Sequence, residues 1–201
     1  MKYLLGIVTA LFILASASSA FASTKGDIQA NFGDGVAAYS LQNYEKAAQI
    51  WQNLAENGSG DAAFRLAQLY DLGLGVEYNP DNVVLWLSLA VEYGHVPSQY
   101  MLAEIYASGR GVDVNSDKAF ELYALAADNN HPKAMYQLAS IYYLGESTPK
   151  NNLLAAYWFS KASQNLTSKV QRDIAKDLYD SIMSKLSDAE KLDLLRRLAF
   201  Q

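Results

Sequence analysis

Asp61-Ala-Ala-Phe-Arg-Leu-Ala-Gln-Leu-Tyr70, followed by Gly73-Leu-Gly-Val76 and then by Leu89-Ala90 and Gly94-His95, decides the fold, because the chain returns to it. At an offset of 36 residues, Leu66-Ala67, Tyr70, Gly73, Gly75-Val76, Asn79, Asp81, Leu89-Ala90 and His95 recur as Leu102-Ala103, Tyr106, Gly109, Gly111-Val112, Asn115, Asp117, Leu125-Ala126 and His131. A third copy keeps Leu138-Ala139, Tyr142, Gly145, Asn151, Ala155 and Ala162. A fixed period of this length marks a repeat array, in which each unit is one supersecondary motif that buries its apolar face only against its neighbours.

Within a copy, Ala62, Leu66, Leu69 and Tyr70, then Val83, Trp86, Leu87 and Ala90, follow helical spacing, so each copy predicts a pair of helices. Ala67, Ala103 and Ala139 in the first helices, with Ala90, Ala126 and Ala162 in the second, lack the bulk that would hold helices apart; Tyr70, Tyr106 and Tyr142 fill the gaps beside them. Gly73-Leu74-Gly75 and Gly109-Arg110-Gly111 end the first helices, where a left-handed residue closes the last turn without a Cβ penalty. Asp81 and Asp117 stand near the start of the second helices, suited to the positive end of the dipole. Pro97 and Pro132 open the next copies, since a first-turn proline loses no helical hydrogen bond.

These residues resemble the Sel1-like repeat family, relatives of the tetratricopeptide repeats. Upstream, Gly35-Val-Ala-Ala-Tyr39 and Asn43-Tyr-Glu-Lys-Ala47, with Trp51, Leu54-Ala55 and Gly58, look like the helical hairpin that begins such arrays. The resemblance implies an all-α, right-handed α-solenoid of stacked helix pairs. The domain reading is a capping hairpin over 23–60, repeats over 61–96, 97–132 and 133–166, and capping helices over 167–201. One departure is plain: the third copy has Ser147-Thr148 where Gly-Val is expected, and Thr167 in place of His. In the tail, Val170, Ile174, Leu178 and Ile182 form an i, i+4 stripe, and Ser187-Asp-Ala-Glu190 is a capping-box start for a helix bearing Leu192, Leu195 and Leu198. Their expected task is to cover the open end of the stack, because an uncapped array leaves an apolar face in water.

The first 22 residues read as a signal peptide: Lys2 is a short positive region, Leu4 to Ala15 an apolar stretch, and Ala20-Phe21-Ala22 a cleavage site. Export to the periplasm or beyond follows, with a chain starting at Ser23 and no membrane insertion after cleavage. The 201 residues are 51% hydrophobic and 18% charged, with 16 basic and 21 acidic side chains and a net charge of −5, an ordinary globular balance and a poor one for coating nucleic acid. With no cysteine, disulfides, thiolate metal sites and thiol nucleophiles are excluded. Asn57-Gly-Ser59 and Asn165-Leu-Thr167 fit the glycosylation acceptor pattern, but the cysteine-free chain and short signal suit a bacterial envelope better.

Catalysis finds little support. His95 and His131 occupy the same place in successive copies, about 10 Å or more apart by helix spacing, too far to share a metal, and match the turn between helices. Gly73-x-Gly75 and Gly109-x-Gly111 follow no strand and precede no Gly-Lys-Ser/Thr, and no Gly-x-Ser-x-Gly is present. Glu45, Glu56, Glu104 and Glu121 fall at solvent-facing helical positions, where no burial shifts a carboxyl toward neutral pH. No catalytic residue, metal or cofactor is expected.

In the tetratricopeptide class the first helix of each pair lines the concave side, and its outward positions here are Arg65, Met101 and Gln137, with Gln68, Glu104 and Ser140 one turn on. This mixed polar stripe has no arginine cluster to grip a phosphate or peptide carboxylate, so it predicts a protein partner with a folded surface or a varied extended segment. The resemblance implies an exported adaptor that holds an envelope protein, a sensor kinase or a cell-wall enzyme. It also leaves a β-lactam-binding or slowly hydrolysing protein, or a secreted effector engaging host proteins, as alternatives, separable by a penicillin-turnover assay and by fractionation.

Overall fold

The computed structural model describes residues 31–199; the expected signal peptide over residues 1–22 lies outside them. The described residues form helices joined by short turns. The chain divides into two units, one ending at Tyr93 and one beginning at Gly94.

The first unit holds α1 over residues 31–40, α2 at Tyr44–Glu56, α3 at Gly60–Leu72 and α4 at Pro80–Glu92. The apolar periodicity places its core as expected: Ala62, Leu66, Leu69, Val83, Trp86, Leu87 and Ala90 are all buried, and Tyr70 is half-buried. Trp51 on α2 is buried beneath α1, its ring against Gly35, where a Cβ would come within 2.3 Å of the indole nitrogen. Phe32 and Tyr39 flank that indole with ring centroids at 6.1 and 5.9 Å. Gly35 is therefore where α1 comes close enough to cover the indole.

The second unit holds α5 at Val96–Ser108, α6 at Ser116–Asp128, α7 at Pro132–Leu144, α8 at Asn152–Asn165, α9 at Lys169–Met183 and α10 at Asp188–Ala199. Consecutive helices from α5 to α9 pack as antiparallel neighbours, and α10 folds back on α8. The alanines at the recurring positions sit at the helix contacts: Ala103, Ala126, Ala139 and Ala162 are fully buried. Larger side chains, among them Met135, Leu138 and Phe159, fill the space between them. Each such burial contributes about 1.5–3 kcal/mol.

The recurring glycines and asparagines build the turn inside each helix pair. Gly73, Gly109 and Gly145 adopt φ of 64°, 68° and 78° at the ends of α3, α5 and α7. Six residues later Asn79, Asn115 and Asn151 cap the next helices, their Oδ1 accepting the N–H of Asn82, Lys118 and Leu154 at 3.0, 2.9 and 3.0 Å. The third turn keeps this geometry although Ser147 replaces a glycine, because the terminal Gly145 and the capping Asn151 are both retained.

The turn between pairs departs at the end of the array. Gly58, Gly94 and Asn130 are left-handed at equivalent positions, but Leu166 is extended and buried, and Ser168, one residue beyond Thr167, caps α9. The tail packs in a different register from the expected stripes. On α9 Ile182 is buried, Leu178 is half-buried, and Val170 and Ile174 are 67% and 45% exposed, because an i, i+4 row rotates about 40° per step around the helix and drifts off one face. On α10 Leu194 is the fully buried leucine and Leu198 packs against the core, while Leu192 and Leu195 are exposed. The expected capping box is formed: Ser187 Oγ and N–H both donate to Glu190 Oε2, at 2.6 and 2.8 Å, and the Glu190 N–H faces Ser187 Oγ at 3.4 Å.

Candidate functional site

The six positions expected to meet a partner lie on the first helices of their pairs, α3, α5 and α7. In the first unit Arg65 donates from Nη1 to Gln68 Oε1 at 3.1 Å, so these two form one polar group. They line a groove of about 290 Å³ whose other walls are Val36, Tyr39, Trp51, Leu69 and Leu72. The groove is walled by α1 and α3, with Trp51 of α2 between their side chains in its lining.

In the second unit Glu104 and Gln137 are brought together across a groove of about 460 Å³ that Ala107, Ser108, Arg110 and Tyr123 also line. Glu104 is exposed and Gln137 half-buried. On its other side Gln137 borders a second cavity of about 310 Å³, lined with Tyr100, Lys133, Tyr136, Leu166, Gln171 and Ile174. Met101 is half-buried and lines neither cavity. Ser140 is half-buried with its hydroxyl donated to the Tyr136 carbonyl at 3.0 Å, which commits its donor within the helix.

Sequence reasoning missed an aromatic cluster beside these residues. Tyr100 on α5 stacks on His131 with ring centroids 4.5 Å apart at 22°, and lies 5.9 Å from the ring of Tyr123 on α6. Its hydroxyl donates to Glu104 Oε1 at 2.5 Å, one helical turn along. Burial first, then the Glu104 carboxylate, pushes the Tyr100 phenol well above its usual range and the Tyr123 phenol to about 12. Both rings are neutral at physiological pH, beside an exposed carboxylate. The one signal available in sequence was that Tyr100 and Glu104 stand four apart, which places them on one helix face.

Both histidines start helices, as their place in the repeat implies. His131 accepts the Ala134 N–H on Nδ1 at 3.2 Å and caps α7. His95 precedes α5, with Nδ1 2.8 Å from Ser98 Oγ. Burial first, then Lys133, lowers the His131 pKa, which keeps the capping ring neutral. Glu45, Glu56, Glu104 and Glu121 are all exposed, at the solvent-facing helical positions the spacing predicts. Among the described residues, no helix is long and apolar enough to cross a membrane.

A stack of helix pairs with open grooves along its first helices defines a repeat protein of the α-solenoid class. The Sel1 repeat family matches residues 31–59, 60–95, 96–131 and 132–165, and the chain belongs to that family. The first match covers the segment that the sequence reading treats as an opening hairpin. Among solved structures, a Sel1 repeat protein from Oxalobacter formigenes is 32% identical, with a TM-score of 0.59 over 63% of this chain and 95% of that one. A protective antigen of uropathogenic Escherichia coli with an SLR fold is 21% identical, with a TM-score of 0.64 over 78% of this chain and 38% of that one. Cysteine rich protein B of Helicobacter pylori is 23% identical, with a TM-score of 0.52 over 66% of this chain and 94% of that one. At those identities the last two show the fold alone. No curated protein matches the chain. Sel1 repeat proteins generally mediate protein–protein interaction and are typically non-catalytic.

Proposed function

We propose that this protein is an exported scaffold or adaptor of the bacterial envelope, which holds a protein partner against the exposed side of its first helices. The observation that carries this reading is that Arg65 and Gln68 in one unit, and Glu104 and Gln137 in the other, line open grooves rather than an enclosed reactive pocket. Mixed aromatic and polar walls of this kind suit protein recognition, where amphipathic anchors supply area and polar groups supply register. Export is supported by Lys2, the apolar run from Leu4 to Ala15 and the Ala20-Phe21-Ala22 site.

The test is affinity capture from envelope extract with the full chain and with the Arg65→Ala, Met101→Ala double variant. The expected result is weakened capture of the same partner with an unchanged thermal midpoint. Equal loss of capture and stability would show that these side chains serve the fold. Measurable penicillin turnover by the pure protein would replace the scaffold reading with an enzymatic one.

A further inference from the structure

We propose that the groove lined by Glu104, Tyr123 and Gln137 receives an arginine side chain presented by the protein partner, an assignment that rests on the scaffold reading above. The groove of about 460 Å³ has room for a guanidinium and part of its stem. Glu104 supplies the charge. It is exposed, and its Oε1 accepts the Tyr100 hydroxyl, while a carboxylate has lone pairs for about four donors. Tyr123 lines the same groove, and Tyr100, whose hydroxyl Glu104 holds, lies next to Tyr123, so the carboxylate borders the aromatic cluster.

An aromatic ring supplies the second element of recognition. Of the Tyr100 and Tyr123 pair, whose rings lie 5.9 Å apart, Tyr123 lines the groove; it is buried but for 5% of its surface and uncharged, so it adds a small neutral aromatic patch beside Glu104. His131 stacks on the far partner of that pair, and its lowered pKa keeps it from adding a competing positive charge at neutral pH. Gln137 on α7 faces the groove with a neutral amide able to accept an N–H. Arginine fits this set better than lysine, because the forked N–H groups of a guanidinium can meet the Glu104 carboxylate and the Gln137 amide oxygen together. The whole chain carries a net charge of −5, which favours approach of a basic partner. Two cations stand nearby: Arg110 lines the same groove, and Lys133 borders the neighbouring cavity beyond Gln137. Of these, Arg110 opposes a cationic guest most directly.

The test uses labelled Gly-Ser decapeptides carrying a central pair of arginines, lysines, citrullines or glutamates, titrated against the full chain by fluorescence anisotropy at low salt. The expected result is that the arginine peptide binds about tenfold tighter than its citrulline counterpart, which has the same shape without the charge. Glu104→Gln should erase that preference while leaving the helical circular-dichroism spectrum and thermal midpoint unchanged, and Arg110→Ala should strengthen it. Absence of arginine-peptide binding, equal binding of citrulline, preference for lysine or for glutamate, or an arginine preference that survives Glu104→Gln would each overturn the assignment. Partner capture by the wild type that is unaffected by Glu104→Gln would overturn it too and leave the scaffold reading intact. Failure of the chain to capture any partner would instead overturn the scaffold reading.

Discussion

Asn115 donates its backbone N–H to the carbonyl of Tyr106 at 2.9 Å and accepts the Lys118 N–H on its side chain at 2.9 Å, so one residue satisfies the end of α5 and the start of α6. Both partners are groups that a helix terminus leaves unpaired. The same bonds recur from Asn151 to Tyr142 at 2.8 Å and from Asn79 to Tyr70 at 3.4 Å. This double use explains why asparagine returns at a fixed place in each copy: the side chain caps, and its backbone closes the turn behind it.

Replacing Asn115 by alanine removes the cap and keeps the backbone bond. The expected cost is about 1 kcal/mol, a fall of about 2–4 °C in the thermal midpoint, with aspartate in the same place nearly neutral. Urea unfolding of the two variants beside the wild type checks this. Equal loss in both would mean that the amide donor, not the oxygen, does the work.

Two glycines of one turn separate conformational demand from close approach. Gly73 and Gly75 have φ of 64° and 67°, yet a Cβ on Gly73 would meet nothing nearer than 3.7 Å, while one on Gly75 would lie 2.3 Å from the Glu45 nitrogen and the Tyr44 carbonyl carbon. Gly73→Ala should therefore cost about 1–2 kcal/mol, the penalty of a left-handed residue. Gly75→Ala should cost clearly more, because backbone of α2 must move. Denaturant midpoints of the two variants decide it; similar values would mean that α2 yields freely.

His131 gives the fold a dependence on acid. Only its neutral ring can accept the Ala134 N–H, and burial followed by Lys133 sets its folded pKa below the usual 6.5, partly offset by Glu104. The unfolded chain then takes up the proton first, so the stability due to this residue is complete above about pH 6.5 and is lost as pH falls through the lower folded value. Tyr100, stacked on the ring, is uncharged throughout this range. His131→Asn retains a capping oxygen without titrating. The fall in thermal midpoint between about pH 7.5 and about pH 5 should be smaller in this variant than in the wild type. An equal fall would assign the acid sensitivity to other groups.

The helix pairs, their glycine ends and their buried alanines were legible in the sequence because the period repeats each local signal until it stands out from chance. Leu66, Leu69, Trp86 and Leu87 needed no tertiary information, since helical spacing alone separates inside from outside. The tail lacks that repetition. With leucines at 192, 194, 195 and 198, two faces of α10 are equally apolar, and contact with α8 selects Leu194. The outward positions Arg65 and Glu104 were legible from register, but Tyr100, Tyr123 and His131 come from three different segments, and only packing of α5, α6 and α7 brings their rings together. That cluster had no signature along the chain.

The central claim is that a protein partner binds the first-helix side of the repeats. Amide hydrogen exchange of the full chain, alone and with its captured partner, reads this helix by helix. The account predicts added protection in α5 and α7 around Tyr100, Glu104 and Gln137, with α6 and α8 little changed. Protection confined instead to the groove of Ala127, Tyr157, Trp158 and Arg197, formed by α6, α8 and α10, would contradict it.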